Sequence, residues 1–130
     1  RRIMEFNWGC WEGLGCLENN FEVPDPNYNI FYTDAFHYQG SPDGESVADV
    51  MERTADFFNE LIANPDYQDK TILIATHGCA LRAMLNSLYE NRDSFWQEHV
   101  PYNCAVTIID VQNGQAKITA KDKIYYCLCC

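Results

Sequence analysis

Apolar residues in the middle of the chain recur at helical spacing. Val47, Val50, Met51, Thr54, Phe58, Leu61 and Ile62 fall on one face at intervals of three and four, with Asp49, Glu52, Arg53, Asp56 and Glu60 on the remainder, which predicts an amphipathic helix. Ser46 followed three residues later by Asp49 has the spacing of a capping box, and Asn64-Pro65 sets the far end because proline forbids continuation. The period then changes. Thr71-Ile72-Leu73-Ile74-Ala75 is a short, continuously apolar run rich in β-branched residues, which predicts a strand covered on both faces in a parallel sheet. Beyond Thr76-His77-Gly78, a second amphipathic helix carries Leu81, Met84, Leu85 and Leu88 inward. Ala105 to Ile109 predicts another buried strand, and Asn113-Gly114 a tight turn into a last strand through Ile118. Strand, short loop and helix in this order predict an α/β unit whose active edge is the carboxyl end of the strand.

The first third of the chain has no such periodicity. Residues 1–13 are too dense in glycine and aromatic residues for a regular helix and read as a structured turn. From Leu14 to Asp43, Asn19-Asn20, Pro24, Pro26 and Gly40-Ser41-Pro42 punctuate an irregular excursion through which Tyr28, Phe31, Tyr32, Phe36, His37 and Tyr38 run. An aromatic-rich loop of ~30 residues is long for a connection, which predicts a lid or binding loop.

Composition narrows the function classes. One hundred and thirty residues make one domain, and 47% hydrophobic with 22% charged residues is ordinary globular usage. No stretch approaches the ~18 apolar residues of a membrane helix. The net charge of −10 is uneven: residues 1–69 hold fourteen acidic and three basic residues, and residues 70–130 hold five and six. Nucleic acids and anionic membranes need a basic face, so neither is an expected partner. Seven cysteines, an odd number with no secretory leader in front of them, read as reduced thiols and predict a cytoplasmic protein.

His77 is the most informative candidate. It sits where an apolar strand meets a helix, so with Gly78 it adjoins first-turn N–H groups and a dipole that favour an anion. Arg82 lies about one turn along that helix, and its side chain leans back toward the same place. The alternative, a histidine satisfied by a backbone carbonyl and an arginine in a surface ion pair, has equal weight on local sequence. Glu5 and Glu12 bracket Phe6-Asn7-Trp8-Gly9-Cys10-Trp11, whose aromatic surroundings suit a general acid, although solvated surface carboxylates are the commoner case. His37 lies among the loop aromatics as a candidate ligand contact or a plain surface histidine. Cys79 reads as a buried small residue, and Cys127, Cys129 and Cys130 lack the spacing of a structural zinc site.

Taken in order, these landmarks resemble the histidine phosphatase superfamily in its phosphoglycerate-mutase-like branch. Ile3 to Gly13 resembles the segment "L-x-E-x-x-F-G-x-W-E-G", with Trp8 at the place of a usual Phe or Tyr. Gly44-Glu45-Ser46 with Asp49-Val50 and Arg53 resembles "G-E-S-x-x-D-V-x-x-R". Thr76-His77-Gly78 with Leu81-Arg82 resembles the second-histidine motif, and Asn103-Cys104-Ala105-Val106 the approach to the following strand. The resemblance implies a three-layer sandwich with a mostly parallel central sheet flanked by helices. It also implies Glu5 as proton donor and His77 as phosphate-pocket donor, both catalytic, with Arg82 as a substrate contact; Gly78 beside His77 and His37 among the loop aromatics complete the expected substrate-binding residues. A small phosphorylated substrate is implied, and neither a metal nor an organic cofactor.

The family's nucleophilic histidine, in an Arg-His-Gly motif after the first strand, has no counterpart among His37, His77 and His99. Residues 1–130 are therefore expected to form one histidine-phosphatase-like domain that lacks its N-terminal strand, with 14–43 as its lid. The expected function is phosphomonoester hydrolysis through a phosphohistidine in the complete protein. The alternatives are an inactive phosphate- or protein-binding module, self-associating through its incomplete sheet, and a phosphoglycerate mutase. The 14–43 segment has five acidic residues and no Lys or Arg, which disfavours a doubly phosphorylated substrate.

Overall fold

In chain order the elements are β1 (Cys16–Leu17), β2 (Asn20–Phe21), α1 (Ile30–Thr33), α2 (Val47–Ala63), α3 (Gly78–Leu85), β3 (Val106–Gln112) and β4 (Gln115–Lys123). Single 3-10 turns occur at Gly9–Trp11, Ala35–His37, Pro65–Tyr67 and Asn86–Leu88. The structure is a computed structural model and describes residues 1–17 and 19–127, so that Cys129 and Cys130 lie outside the described residues. Among the described residues, no helix is long and apolar enough to cross a membrane.

α2 begins and ends where its sequence predicts. The Ser46 hydroxyl oxygen accepts the Asp49 N–H at 3.1 Å while the Asp49 carboxylate accepts the Ser46 N–H at 2.8 Å, a reciprocal cap of the kind that contributes ~1 kcal/mol. Val47, Val50, Thr54 and Phe58 form its buried stripe. Burial leaves the Thr54 hydroxyl no water, and it donates instead to the Val50 carbonyl at 2.7 Å.

Two apolar clusters flank α2 and α3. The first gathers Phe6, Trp11, Tyr28, Phe31, Tyr38 and Phe95 with the Val47–Val50 end of α2 and with Cys79 and Ala83 of α3. Phe31 is its hub, in edge-to-face contact with Phe6 at 5.1 Å, Trp8 at 4.8 Å and Trp96 at 5.2 Å between ring centroids. The 14–43 segment thus contributes Tyr28, Phe31, Ala35 and Tyr38 to the core, and its aromatic density reflects packing more than an open loop. The second cluster joins Phe58 of α2 to Met84, Leu85 and Tyr89, with Ile109, Ala116 and Ile118 of the β3–β4 hairpin laid against them.

The sheet departs from expectation. Among the described residues there are two sheets, each of two antiparallel strands, and no parallel central sheet. β3 and β4 turn at Asn113 and Gly114, with φ of 52° and 73°, the left-handed pair that a tight hairpin turn requires. Among the described residues, the predicted buried strand at residues 71–75 has no strand partner, and Leu73 is 89% exposed. An apolar, β-branched run encodes a preference for extended backbone, but a strand exists only when a neighbour takes up its N–H and C=O groups. β3 is also less covered than predicted, with Val106, Ile108 and Val111 facing solvent while Thr107 and Ile109 face inward.

The amino-terminal turn is fastened to α2. Arg53 reaches the backbone carbonyls of Arg2, Met4 and Glu5 and forks onto Glu45. Gly9, at φ 53°, lies so close to the backbone of residues 42–44 that a Cβ there would collide with it. Residue 5 is therefore placed from two sides before any contact with α3.

Candidate active site

Glu5 and the start of α3 meet directly. Glu5 Oε2 accepts the Cys79 N–H at 3.2 Å, and Oε1 accepts those of Ala80 at 3.2 Å and Phe6 at 2.8 Å. These are second- and third-position amides of a helix whose cap residue, His77, makes no side-chain cap of its own. First-turn N–H groups have no partner within a helix, and a carboxylate supplied from 74 residues away satisfies two of them and complements the dipole. The Thr76 hydroxyl donates to the Ile3 carbonyl at 2.7 Å, a second tie between the same two segments.

His77 has extended backbone, with φ −112° and ψ 170°, and is exposed directly before this turn of helix. Its carbonyl accepts the Leu81 N–H at 2.9 Å, the first bond of the helix. Gly78 follows under Val100 and Pro101, where an added Cβ would come within 3.3 Å of a Val100 methyl. Among the described residues the Gly78 N–H meets no acceptor. The structure therefore brings Glu5, His77 and Gly78 to one corner, with two amides taken by Glu5 and one amide and one imidazole left outward.

Arg82 goes elsewhere. Its side chain is fully buried and turned away from the helix start toward β4, where Nη2 and Nη1 fork onto the Asp122 carboxylate at 2.6 and 3.2 Å. Nη1 also donates to the Tyr89 hydroxyl at 3.2 Å and Nη2 to the His99 carbonyl at 3.0 Å. Burial opposes the charge, but the hydrogen bonds it donates to Asp122 and Tyr89 outweigh it and raise the guanidinium above its ordinary pKa. The leaning of a helical side chain toward the N-terminus suggested an outward phosphate contact, whereas a buried counter-charge across the fold dictates the rotamer. That counter-charge depends on a bulge: the β3–β4 register breaks between Val106 and Ile109, and Asp122 takes φ 51° as it faces inward.

His37 is separate from this corner. Its ring is exposed on the Ala35–His37 turn and its Nδ1 pairs with Asp34 at 2.8 Å. Glu12, the other carboxylate of the amino-terminal turn, accepts the Trp8 N–H at 3.0 Å and so closes the turn on itself. Cys79 is buried, and burial followed by the charge of Glu5 pushes its thiol far up, which makes it an inert packing group.

The sequence reading missed Thr76, Asp122 and Tyr89 as partners of site residues, and missed the reach of Arg53 and Glu45. Asp122 alone carried a signal, as an acid at an inward position in the period-two alternation of β4.

A family model described as histidine phosphatase superfamily (branch 1) matches residues 1–123. The chain is 27% identical over 144 residues to the 2,3-bisphosphoglycerate-dependent phosphoglycerate mutase of Hydrogenobaculum sp. (strain Y04AAS1), a match covering 92% of this chain and 58% of that protein. Its fold is similar to that of Bacillus stearothermophilus YhfR, with a TM-score of 0.78, 25% identity, and coverage of 95% of this chain and 59% of that one. The chain thus spans a little under three fifths of the length of these two relatives. With Glu5, His77 and Gly78 gathered at one corner and a family match over nearly the whole chain, it belongs to the histidine phosphatase superfamily, branch 1, and is phosphoglycerate-mutase-like.

Proposed function

We propose that this chain supplies the proton donor and part of the phosphate pocket of a phosphomonoesterase, working in a protein that also carries an Arg-His-Gly segment. The observation that carries this reading is the docking of the Glu5 carboxylate on the helical turn that follows His77. The Gly78 N–H and the His77 imidazole would hold phosphoryl oxygens, on which charge is spread during transfer. The ester P–O bond breaks as the histidine nitrogen of the joined segment bonds to phosphorus, and the departing oxygen takes a proton from Glu5. In the second half, water attacks phosphorus as the P–N bond to the histidine breaks, a water proton returns to Glu5, and phosphate leaves with the histidine nitrogen restored. Glu5 Oε1 accepts two N–H groups and Oε2 only one, so Oε2 keeps a lone pair able to carry that proton.

Residues 71–75, with Ile72 and Leu73 exposed, are where the strand of such a segment would pair and complete a parallel sheet. The same exposed run favours a second reading, an inactive module that binds a protein partner or a second copy through this edge. Between hydrolase and mutase, the acidic 14–43 segment favours a monophosphate ester with a neutral or weakly charged leaving group.

Phosphatase assays of this chain beside a version extended upstream through an Arg-His-Gly segment test the reading. Activity in the extended form alone supports it. Turnover by the present chain that survives His77→Ala would overturn the pocket, and phosphoglycerates outpacing neutral phosphomonoesters by orders of magnitude would overturn the substrate class.

A further inference from the structure

We propose that Arg53 and Glu45 are positioning residues for Glu5, forming a clamp on α2 and its approach that fixes the backbone from which the proton donor projects; this rests on the reading of Glu5 as that donor. The Glu5 turn has no helix or strand to hold it, yet its carbonyls are closely held. Arg53 Nη1 donates to the Arg2 and Met4 carbonyls, both at 2.9 Å, and Nη2 to the Glu5 carbonyl at 3.1 Å. The Thr76 hydroxyl takes the intervening Ile3 carbonyl, so four consecutive carbonyls are engaged. The two remaining guanidinium N–H groups go to Glu45, Nε to Oε1 at 2.6 Å and Nη2 to Oε2 at 2.9 Å. All five donors of Arg53 are thereby used, three of them on the segment that carries Glu5.

Glu45 extends the clamp past Glu5. Its Oε2 also accepts the Asn7 N–H at 3.0 Å, and its own N–H donates to the Asn7 carbonyl at 3.0 Å. Glu5 is thus bracketed by Arg53 up to its own carbonyl and by Glu45 two residues on. The pair is mostly sheltered, with side chains 20% and 22% exposed. A planar fork can serve a carboxylate on one edge and carbonyls on the other, which the point charge of lysine cannot do. A reacting group is effective only when held close to its productive geometry.

The test reads Glu5 docking directly in the 15N-labelled full chain, from the amide resonances of Cys79 and Ala80. Glu5→Gln defines the displacement that accompanies altered docking. Arg53→Lys and the isosteric Glu45→Gln, each compared while folded by circular dichroism, are expected to move both resonances along the same direction, with Gly114 in the distant hairpin turn unmoved. Resonances of Cys79 and Ala80 that stay in place in folded Arg53→Lys or Glu45→Gln overturn the proposal. In the upstream-extended protein, both variants are expected to lower kcat ~10–100-fold with KM changed less than about twofold. Should Glu5→Gln leave turnover intact while the resonances still move together, the proton-donor reading fails and the clamp stands.

Discussion

Replacing Arg82 with methionine, close to it in length and able to fill the same space, separates an internal role from a ligand-binding one. Arg82 is fully buried and Asp122 is 7% exposed at the side chain, so neither charge has water to replace its partner. Among the described residues, removing the guanidinium leaves the Asp122 carboxylate with the Thr107 hydroxyl at 3.4 Å as its one side-chain hydrogen bond, and strips a donor from Tyr89 and from the His99 carbonyl. Loss of one member of a buried ion pair costs about 3–5 kcal/mol, a large share of the ~5–15 kcal/mol that holds a domain together. Asp122→Asn, with asparagine tolerating the φ of 51°, should cost a similar amount by leaving the guanidinium without a counter-charge. The double variant should cost less than the sum of the two by about 1–3 kcal/mol, since each change removes the reason the other is harmful. Urea unfolding followed by the fluorescence of Trp8, Trp11 and Trp96 measures all three, with equal slopes required for the comparison. An Arg82→Met protein that loses less than about 1 kcal/mol and instead binds phosphate poorly would refute the assignment of Arg82 to the interior.

Other consequences are as direct. Burial opposes ionisation of Glu45, but hydrogen bonds from Arg53 and Asn7 outweigh it and hold the carboxyl below its ordinary 4.5. The stability this contributes is complete above about pH 4.5 and is lost as pH falls through the lower folded value, so Glu45→Gln should flatten the decline of the urea midpoint in that range. Equal slopes would contradict the clamp's electrostatics. Thiol titration of the native chain with a disulfide reagent at pH 8 should modify the exposed Cys10, Cys16 and Cys104 rapidly and spare Cys79. A fast phase that disappears in Cys79→Ser would place that thiol at the surface.

The legible parts of the fold are those whose causes are local. α2 follows from a seven-residue apolar stripe, a capping box and a proline stop, and the β3–β4 turn from Asn113-Gly114, each set by residues adjacent or three to four apart in the chain. Residues 71–75 show the limit of that logic. Their strand preference is plain, while burial was inferred from composition and depends on neighbours that the described residues do not include. The aromatics of 14–43 were read by position in a loop, although Tyr28, Phe31 and Tyr38 are large apolar bodies that a core claims first. His77 follows from its strand–helix junction and Glu5 from its aromatic turn, with their roles implied by the resemblance, and the structure ties Glu5 to the helix after His77 through the Cys79 and Ala80 amides. Those amides, like the carbonyls gripped by Arg53, are common to every residue, so no sequence pattern marks them. The sequence puts Arg82 on its helix but does not show its partner, because Asp122 lies 40 residues on, behind a bulge.

The central claim is that Glu5 protonates the leaving oxygen at a corner it shares with His77. A leaving group that is already a weak base needs no proton, so p-nitrophenyl phosphate and a simple alkyl phosphate respond differently to the loss of a general acid. In the upstream-extended protein, Glu5→Gln is expected to lower kcat/KM for the alkyl ester by ~10²–10⁴ and for the nitrophenyl ester by less than about tenfold. Equal losses on the two esters would contradict it.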